Sequence, residues 1–150
     1  MGLDMYLTAR HFVSEFSDKE LSTKLTELAN GIVKGRRVNG ITVEAMYWRK
    51  ANAIHNWFVK NVQDGIDDCK EYHVPADKLK LLLDVVNDVL ERKETPAEAL
   101  PTSSGFFFGE ADYNEWYWEG LTRTKEDLTA LLLDFGDDNW NWNFYYQSSW

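Results

Sequence analysis

The sequence is poor in cysteine and histidine, and both shortages bear on metal and thiol chemistry. Cys69 is the only cysteine, so the chain has no intramolecular disulfide and no cluster of thiolate ligands. The three histidines, His11, His55 and His73, are scattered, and no pair has the spacing of metal ligands on a helix. The sequence therefore predicts no metal site.

Long apolar runs are also missing, and the longest uncharged apolar stretch is far too short to span a bilayer. Residues 1–7 have neither the basic region nor the apolar stretch of a secretory signal. Together with the single cysteine, these absences predict a protein of a reducing cytoplasm with no membrane partner.

Positive charge is scarce as well. Sixteen Lys and Arg residues stand against 25 Asp and Glu residues, and the formal net charge is −9. Nucleic-acid binding normally needs a basic face that displaces counterions from phosphates. We therefore expect no nucleic-acid partner. A local basic pocket for a small phosphate-bearing ligand is compatible with this charge balance.

Recognisable catalytic motifs are absent too. The sequence contains no Gly-x-Ser-x-Gly motif and no glycine pattern that cradles a phosphate. Cys69 lies among acidic side chains, which disfavour a reactive thiolate. Residues 134–139 carry oxygen ligands but lack the spacing and the final glutamate of a calcium loop. We expect no cofactor and no defined catalytic group, apart from one candidate, His55.

The hydrophobic pattern predicts one domain over residues 1–150. Strict alternation predicts strands near both ends, at 3–12 and 142–147, with another at 41–45 and an ambiguous segment at 66–74. Helical spacing and capping residues predict helices that start at Ser17, Lys50, Pro75, Thr95 and Asp112. Strands at both ends with helices between them predict an α+β fold: a small, mainly antiparallel sheet with helices packed on one face.

Two local expectations can be checked directly against a structure. Leu21, Leu25 and Leu28 form an apolar stripe on the helix that Ser17 would cap. Gly120 and Thr124 predict a break or kink in the chain before the apolar run that begins at Leu128.

One stretch, Trp48 to Phe58, mixes polar chemistry and apolar anchors more densely than any other window. It holds two cations, two amides and an imidazole among large apolar side chains. Asn52, His55 and Asn56 share the i, i+3, i+4 relation, so they form one polar face of a helix.

His55 has two interpretations. As a general base it needs an orienting carboxylate, and Glu110, Asp112 or Glu115 can supply one only if the fold brings it close. The plainer interpretation is a half-exposed helix residue that bonds to neighbouring backbone.

Aromatic residues are the abundant class, at 15% of the chain, and they concentrate in the last third. Most of them are accounted for by the core of a small domain. Trp and Tyr also suit surfaces that are apolar but partly wet, and they stack on planar rings together with Arg. Combined with the polar stretch, the aromatics give a candidate ligand-binding set: Arg49, Lys50, Asn52, His55, Phe107, Tyr113, Trp116 and Tyr146.

Four blocks resemble a family of small, uncharacterised proteins of bacteriophages and prophages. They are the opening MGLDMYL, the RKxNxIHxWF stretch from Arg49, the GFFFG block at 105–109 with Tyr113, and the ending YQSSW. The resemblance implies no established activity. It implies a setting only: an accessory phage protein in the host bacterial cytoplasm, where such proteins commonly blunt defences or redirect host machinery.

Three functions are compatible with these features. The favoured one is a non-enzymatic binding protein that sequesters a nucleotide-type small molecule in an aromatic and cationic pocket. The second is an inhibitor of a host protein that binds through an exposed Trp/Tyr surface. The third is a small enzyme with His55 as general base on a phosphorylated or nucleotide substrate. No sequence feature indicates the oligomeric state.

Overall fold

The computed structural model describes residues 2–93, 96–105, 108–135 and 141–150. The strands are β1 (Asp4–Phe12), β2 (Gly40–Arg49), β3 (Tyr72–Val74) and β4 (Trp142–Ser149). The helices are α1 (Lys19–Asn30), α2 (Asn52–Asn61), α3 (Ala76–Arg92), α4 (Pro96–Ala99) and α5 (Glu115–Phe135). No helix within these described ranges is both long and apolar enough to cross a membrane.

The strands form one antiparallel sheet in the order β2-β1-β4-β3. The N-terminal and C-terminal strands are therefore neighbours at its centre, with Asp4 opposite Ser149 and His11 opposite Trp142. This architecture confirms the predicted α+β fold.

Alternation along the central strands directs one face of the sheet into the core. Met5, Leu7 and Ala9 of β1 are fully buried, and Phe144 and Tyr146 of β4 lie on the same side. Helices α2, α3 and α5 cover this face with the apolar residues Ile54, Phe58, Leu79, Leu82, Val86, Leu121 and Leu128. Complete burial of each such side chain stabilises the fold by about 1.5–3 kcal/mol before entropy is counted.

Strand β2 keeps its inward face through a bulge. Met46 lies opposite Leu7, but Glu44 lies opposite Thr8, so Ala45 is the extra residue. Beyond the bulge Met46 and Trp48 are buried, and the strand runs directly into the polar stretch.

The sequence predicts a break or kink before Leu128; helix α5 is continuous over 21 residues, so the helix has no break there. Thr124 is fully buried, and its hydroxyl donates back to the Gly120 carbonyl at 2.7 Å. The same oxygen accepts a hydrogen bond from Trp48 Nε1 at 2.9 Å. Thr124 therefore does not break the helix. Its hydroxyl hydrogen is satisfied by the Gly120 carbonyl within α5, and its oxygen joins α5 to the sheet through Trp48.

Helix α1 departs from the sequence prediction in two ways. Its N-cap is Asp18 rather than Ser17, and no side chain caps it. Its leucine stripe is also not buried, because Leu21 and Leu28 are exposed and Ser22 is the one buried residue of its twelve. The spacing predicted the helix correctly, but amphipathic spacing alone does not require that the apolar side be covered.

Candidate functional site

The polar stretch begins at a strained turn. After β2 ends at Arg49, Lys50 adopts the left-handed conformation at φ 56°, and its N–H donates to the Leu3 carbonyl at 2.7 Å. Helix α2 starts two residues later with Ala51 at the N-cap position, which supplies no side-chain hydrogen bond. The first turn of α2 therefore lacks a side-chain cap, and the N–H of Asn52 bonds instead to the Lys50 carbonyl at 2.9 Å.

A cavity of about 530 Å³ opens at this turn. Its walls come from Arg49 to Ile54, from Thr102, from the loop between Gly109 and Asn114, and from the first three turns of α5. On α5 the lining residues are Trp116, Tyr117, Glu119, Gly120, Leu121 and Arg123. A volume of this size lies within the range of small-molecule sites in proteins.

Gly109 brings the loop close to the polar turn. It has φ 87°, a region that other residues rarely adopt. A Cβ atom at this position would lie 3.3 Å from the Cβ of Lys50. The backbone angle therefore favours glycine, and a side chain here would need the aliphatic stem of Lys50 to shift by a few tenths of an ångström.

The charges in the cavity fall into two groups. Arg49 lies 3.6 Å from Asp4, so its charge is partly compensated. Lys50 and Arg123 form no ion pair with any residue in the described ranges. Three carboxylates, Glu110, Asp112 and Glu119, also line the cavity. The site thus offers two cations without an ion-pair partner in the described residues, and its three cations and three carboxylates balance in formal charge.

Asn52 organises the surrounding loops. It is buried, and its Nδ2 donates to the carbonyls of Phe108 at 3.2 Å and Glu110 at 2.8 Å. Its Oδ1 accepts from the Ser103 N–H at 3.2 Å. The side-chain amide is therefore fully used in holding two loops against α2, although the residue belongs to the cavity wall.

His55, one turn further along α2, lies inside the protein with 1% of its surface exposed. Its Nε2 lies 3.0 Å from Asp67 Oδ2, and its Nδ1 lies 2.8 Å from the Tyr146 hydroxyl. Trp150 Nε1 donates to the second oxygen of Asp67 at 3.1 Å. The ring of Phe108 packs edge-on against the imidazole at 5.0 Å between centroids. We call Tyr146, His55, Asp67 and Trp150 the buried polar chain after its first two members, which are buried; Asp67 is half-buried and Trp150 is exposed.

The partners of His55 determine its tautomer when the imidazole is neutral. The Asp67 carboxylate can only accept, so Nε2 carries the hydrogen and Nδ1 accepts from the Tyr146 hydroxyl. Burial raises the pKa of the Tyr146 phenol well above its usual value, with a smaller contribution from the charge of Asp67. The phenol therefore stays protonated at neutral pH and can donate to Nδ1 of the neutral imidazole. Neither ring nitrogen of His55 is open to a substrate in this arrangement.

The structure separates the predicted ligand-binding residues into two places. Arg49, Lys50, Asn52 and Trp116 line the cavity, whereas His55 and Tyr146 belong to the buried polar chain. Both interpretations of His55 missed its surroundings, because it is buried and bonds to side chains.

The other two predicted residues lie elsewhere. Tyr113 accepts a hydrogen bond from the Thr102 N–H at 3.4 Å and packs edge-on against Tyr117. Phe107 is outside the described residues. The polar stretch, the loop after Gly105 and the C-terminal strand nevertheless meet in space through Asn52, His55 and Phe108.

Sequence reasoning missed two important residues. Arg123 stands at i+7 from Trp116, so two turns of α5 place both on one face. That spacing was a usable signal. Asp67 follows a turn in which Asp64 and Gly65 both have positive φ. No periodicity connects it to His55, so the sequence carried no comparable signal for it.

Comparisons with known proteins identify no relative of this chain. No protein-family model matches it, no curated protein matches it, and no solved structure matches its fold significantly. Across the described residues, no group of three or more His, Cys, Asp or Glu side chains is placed to hold a metal ion.

Proposed function

We propose that the protein binds a small anionic ring compound of the nucleotide type in the 530 Å³ cavity beside the N-terminus of α2. One observation carries this proposal. Lys50 and Arg123 line the same cavity as the exposed Trp116, and neither cation has an ion-pair partner in the described part of the chain.

The unpaired cations supply the attraction for an anionic group. The chain has a net charge of −9, so two cations without carboxylate partners in one concave site form a local exception. The uncapped first turn of α2 adds its partial positive charge on the same wall, and helix N-termini favour phosphate or carboxylate groups. An anion placed here gains from all three groups together.

Trp116 supports a planar ligand. Its side chain is 77% exposed on the cavity wall, which is unusual for a tryptophan and leaves its face free for stacking. Asp112 and Glu119 add acceptors for hydroxyl or amino groups. The same carboxylates repel surplus negative charge, so we expect a nucleotide with one phosphate to bind better than a triphosphate.

Calorimetric titration with nucleoside monophosphates, cyclic nucleotides and nucleoside triphosphates tests the proposal. Arg123→Ala and Lys50→Ala should each weaken binding by roughly tenfold, equivalent to about 1.4 kcal/mol. Lys60→Ala is the matched control because Lys60 is exposed near the other end of α2. Absence of heat with every nucleotide, or equal weakening by the control, would contradict the proposal.

The biological setting belongs to the same proposal and rests on the phage and prophage resemblance. Sequestration of a nucleotide signal by an accessory protein in the host cytoplasm would blunt a host response without any chemical step. Catalysis by His55 is not included, because both ring nitrogens are engaged inside the protein.

A second candidate is inhibition of a host protein, and the exposure of Trp116 and Trp150 favours it. Capture from host lysate should then depend on these two indoles. Trp116→Ala and Trp150→Ala should each reduce capture of one defined host protein. Unchanged capture by both variants would remove this alternative.

A further inference from the structure

Helix α5 contains a glycine, Gly120, that the packing of the chain does not explain. It lies inside the helix and lines the cavity. Glycine is the least favourable residue in a helix interior after proline, because it loses the most backbone freedom on folding. A glycine at such a position therefore needs a role that offsets the lost stability of the helix.

Neither backbone strain nor close packing supplies that role. Gly109 has a positive φ, and a Cβ atom at Gly105 would lie 2.7 Å from the ring of Phe108. Gly120 has no positive φ. A Cβ atom there would meet nothing in the described part of the chain within 4 Å, apart from its chain neighbours and the local backbone of α5. The protein thus has room for a side chain at Gly120, and that room opens on the cavity.

The turn of α5 at Gly120 is held firmly in place. The Thr124 hydroxyl donates to the Gly120 carbonyl at 2.7 Å and accepts from Trp48 Nε1 at 2.9 Å. Beside Gly120, the side chain of Leu121 is buried in the core. The backbone at Gly120 is therefore a fixed part of the cavity wall and does not act as a hinge.

Trp116, Gly120 and Arg123 form a row along α5. Their separations of four and three residues place them within a sector of about 60° of the helix surface, at roughly 100° per residue. All three line the cavity, with the exposed Trp116 at one end. At the other end is Arg123, which has no ion-pair partner in the described residues. The two ends are about 10 Å apart along the helix axis, and the backbone between them is bare at Gly120.

We propose that the nucleotide-type ligand lies lengthwise on this row, with its ring on Trp116, its sugar on Gly120 and its phosphate at Arg123. This inference rests on the proposed function and adds the orientation of the ligand. A nucleoside monophosphate carries its sugar between the ring and the phosphate, which is the order of the three contacts. The missing Cβ lets the sugar approach the helix backbone closely. Gly120 is then a ligand-contact residue, and binding offsets its cost to the helix.

Thermal unfolding of Gly120→Ala and its calorimetric titration with nucleoside monophosphates test the proposal. The free variant should unfold about 1–4 °C higher than wild type, because alanine is the better helix former. Its affinity should fall about tenfold, because the added methyl group occupies the space of the sugar. Gly120→Leu keeps a good helix former but adds more bulk, so its affinity should fall on the order of a hundredfold.

Thr122→Ala is the matched control, because Thr122 is exposed on α5 and does not line the cavity. It should also raise the Tm through helix propensity, but it should leave the affinity unchanged. Equal affinity of wild type and Gly120→Ala would overturn this orientation and leave the proposed function standing, whereas no binding by wild type would overturn both. A lower Tm for free Gly120→Ala would also overturn the inference, because the glycine would then serve the fold itself.

Discussion

Helix α2 presents two polar regions that differ in how completely their groups are used. Around His55 every polar group of the imidazole and of Asp67 has a partner, and the imidazole is shielded from water. At the N-terminus of the same helix, Lys50 and Arg123 have no ion-pair partner within the described ranges, and the first turn has no side-chain cap.

The difference indicates which region stabilises the fold and which region remains available to bind a ligand. Satisfied buried polar groups contribute to the stability and uniqueness of the fold, and removal of one partner leaves the other desolvated and unpaired. Unpartnered cations at a cavity contribute little to folding and remain available to a ligand. Substitutions in the buried polar chain should therefore change stability, whereas substitutions in the cavity should change binding.

The largest effect is expected for His55→Ala. It creates a cavity and leaves the Tyr146 hydroxyl without an acceptor, so the free energy of unfolding should fall by about 3 kcal/mol. Chemical denaturation followed by tryptophan fluorescence measures it. His73→Ala is the control, because His73 is exposed and should cost less than about 1 kcal/mol. Similar losses in both variants would show that the buried polar chain adds nothing particular.

Tyr146→Phe should cost about 1–2 kcal/mol, because Nδ1 of His55 loses its donor. It should also change the pH dependence. An unfolded tyrosine ionises near pH 10, whereas burial raises the pKa of folded Tyr146. The protonated phenol therefore contributes fully to the free energy of unfolding below about pH 10, and this contribution is lost as the pH rises further.

Denaturation at a series of alkaline pH values checks that expectation. Wild type should lose stability as the pH rises above about 10, and Tyr146→Phe should lose less over the same interval. Tyr117, whose pKa burial also raises, remains in both proteins and contributes equally to each. Parallel pH profiles would contradict the assignment.

A smaller effect is expected for Trp150→Phe. The substitution keeps an aromatic ring beside Phe108 but removes the donor to Asp67, so it should cost about 0.5–1 kcal/mol. Trp116→Phe removes an indole that has no hydrogen-bond partner in the described residues, so its stability should be unchanged. If Trp116→Phe lowered the free energy of unfolding as much as Trp150→Phe does, the two regions would not differ in their contribution to stability.

The smallest stability effect is expected for Arg123→Ala, within about 0.5 kcal/mol of wild type. Thermal unfolding without nucleotide measures the stability of the free variant, and thermal unfolding with nucleotide measures how far binding raises its Tm. The free variant should match wild type, and the increase in Tm on adding nucleotide should shrink because affinity falls. A large loss of stability in the free variant would indicate a structural role for this guanidinium.

The fold was largely predictable because strands and core helices require apolar residues at regular intervals in the sequence. Met5, Leu7 and Ala9 alternate with polar residues, and Leu79, Leu82 and Val86 recur at helical spacing. Both patterns depend on neighbours in sequence. Thr124 suggested a break in the helix, because the sequence does not reveal that its hydroxyl accepts a hydrogen bond from Trp48, which is distant in sequence.

The site was less predictable for the same reason. The cations of the polar stretch were identified by composition, but Asp67 and the loop carbonyls around Asn52 reach their partners only in the folded chain. Whether a polar side chain is satisfied depends on tertiary contacts. The division of one helix into a buried chain and an open cavity therefore could not be derived from spacing.

The pairing of β1 with β4 has a consequence for how the protein is made. Asp4 pairs with the sequence-distant Ser149, so the centre of the sheet closes only after β4 has left the ribosome. Until then the apolar edge of β1 has no β4 to join, and such contacts between distant residues make folding slow. A ribosome that stalls before β4 emerges should expose an aggregation-prone nascent chain, and a chaperone is the natural safeguard.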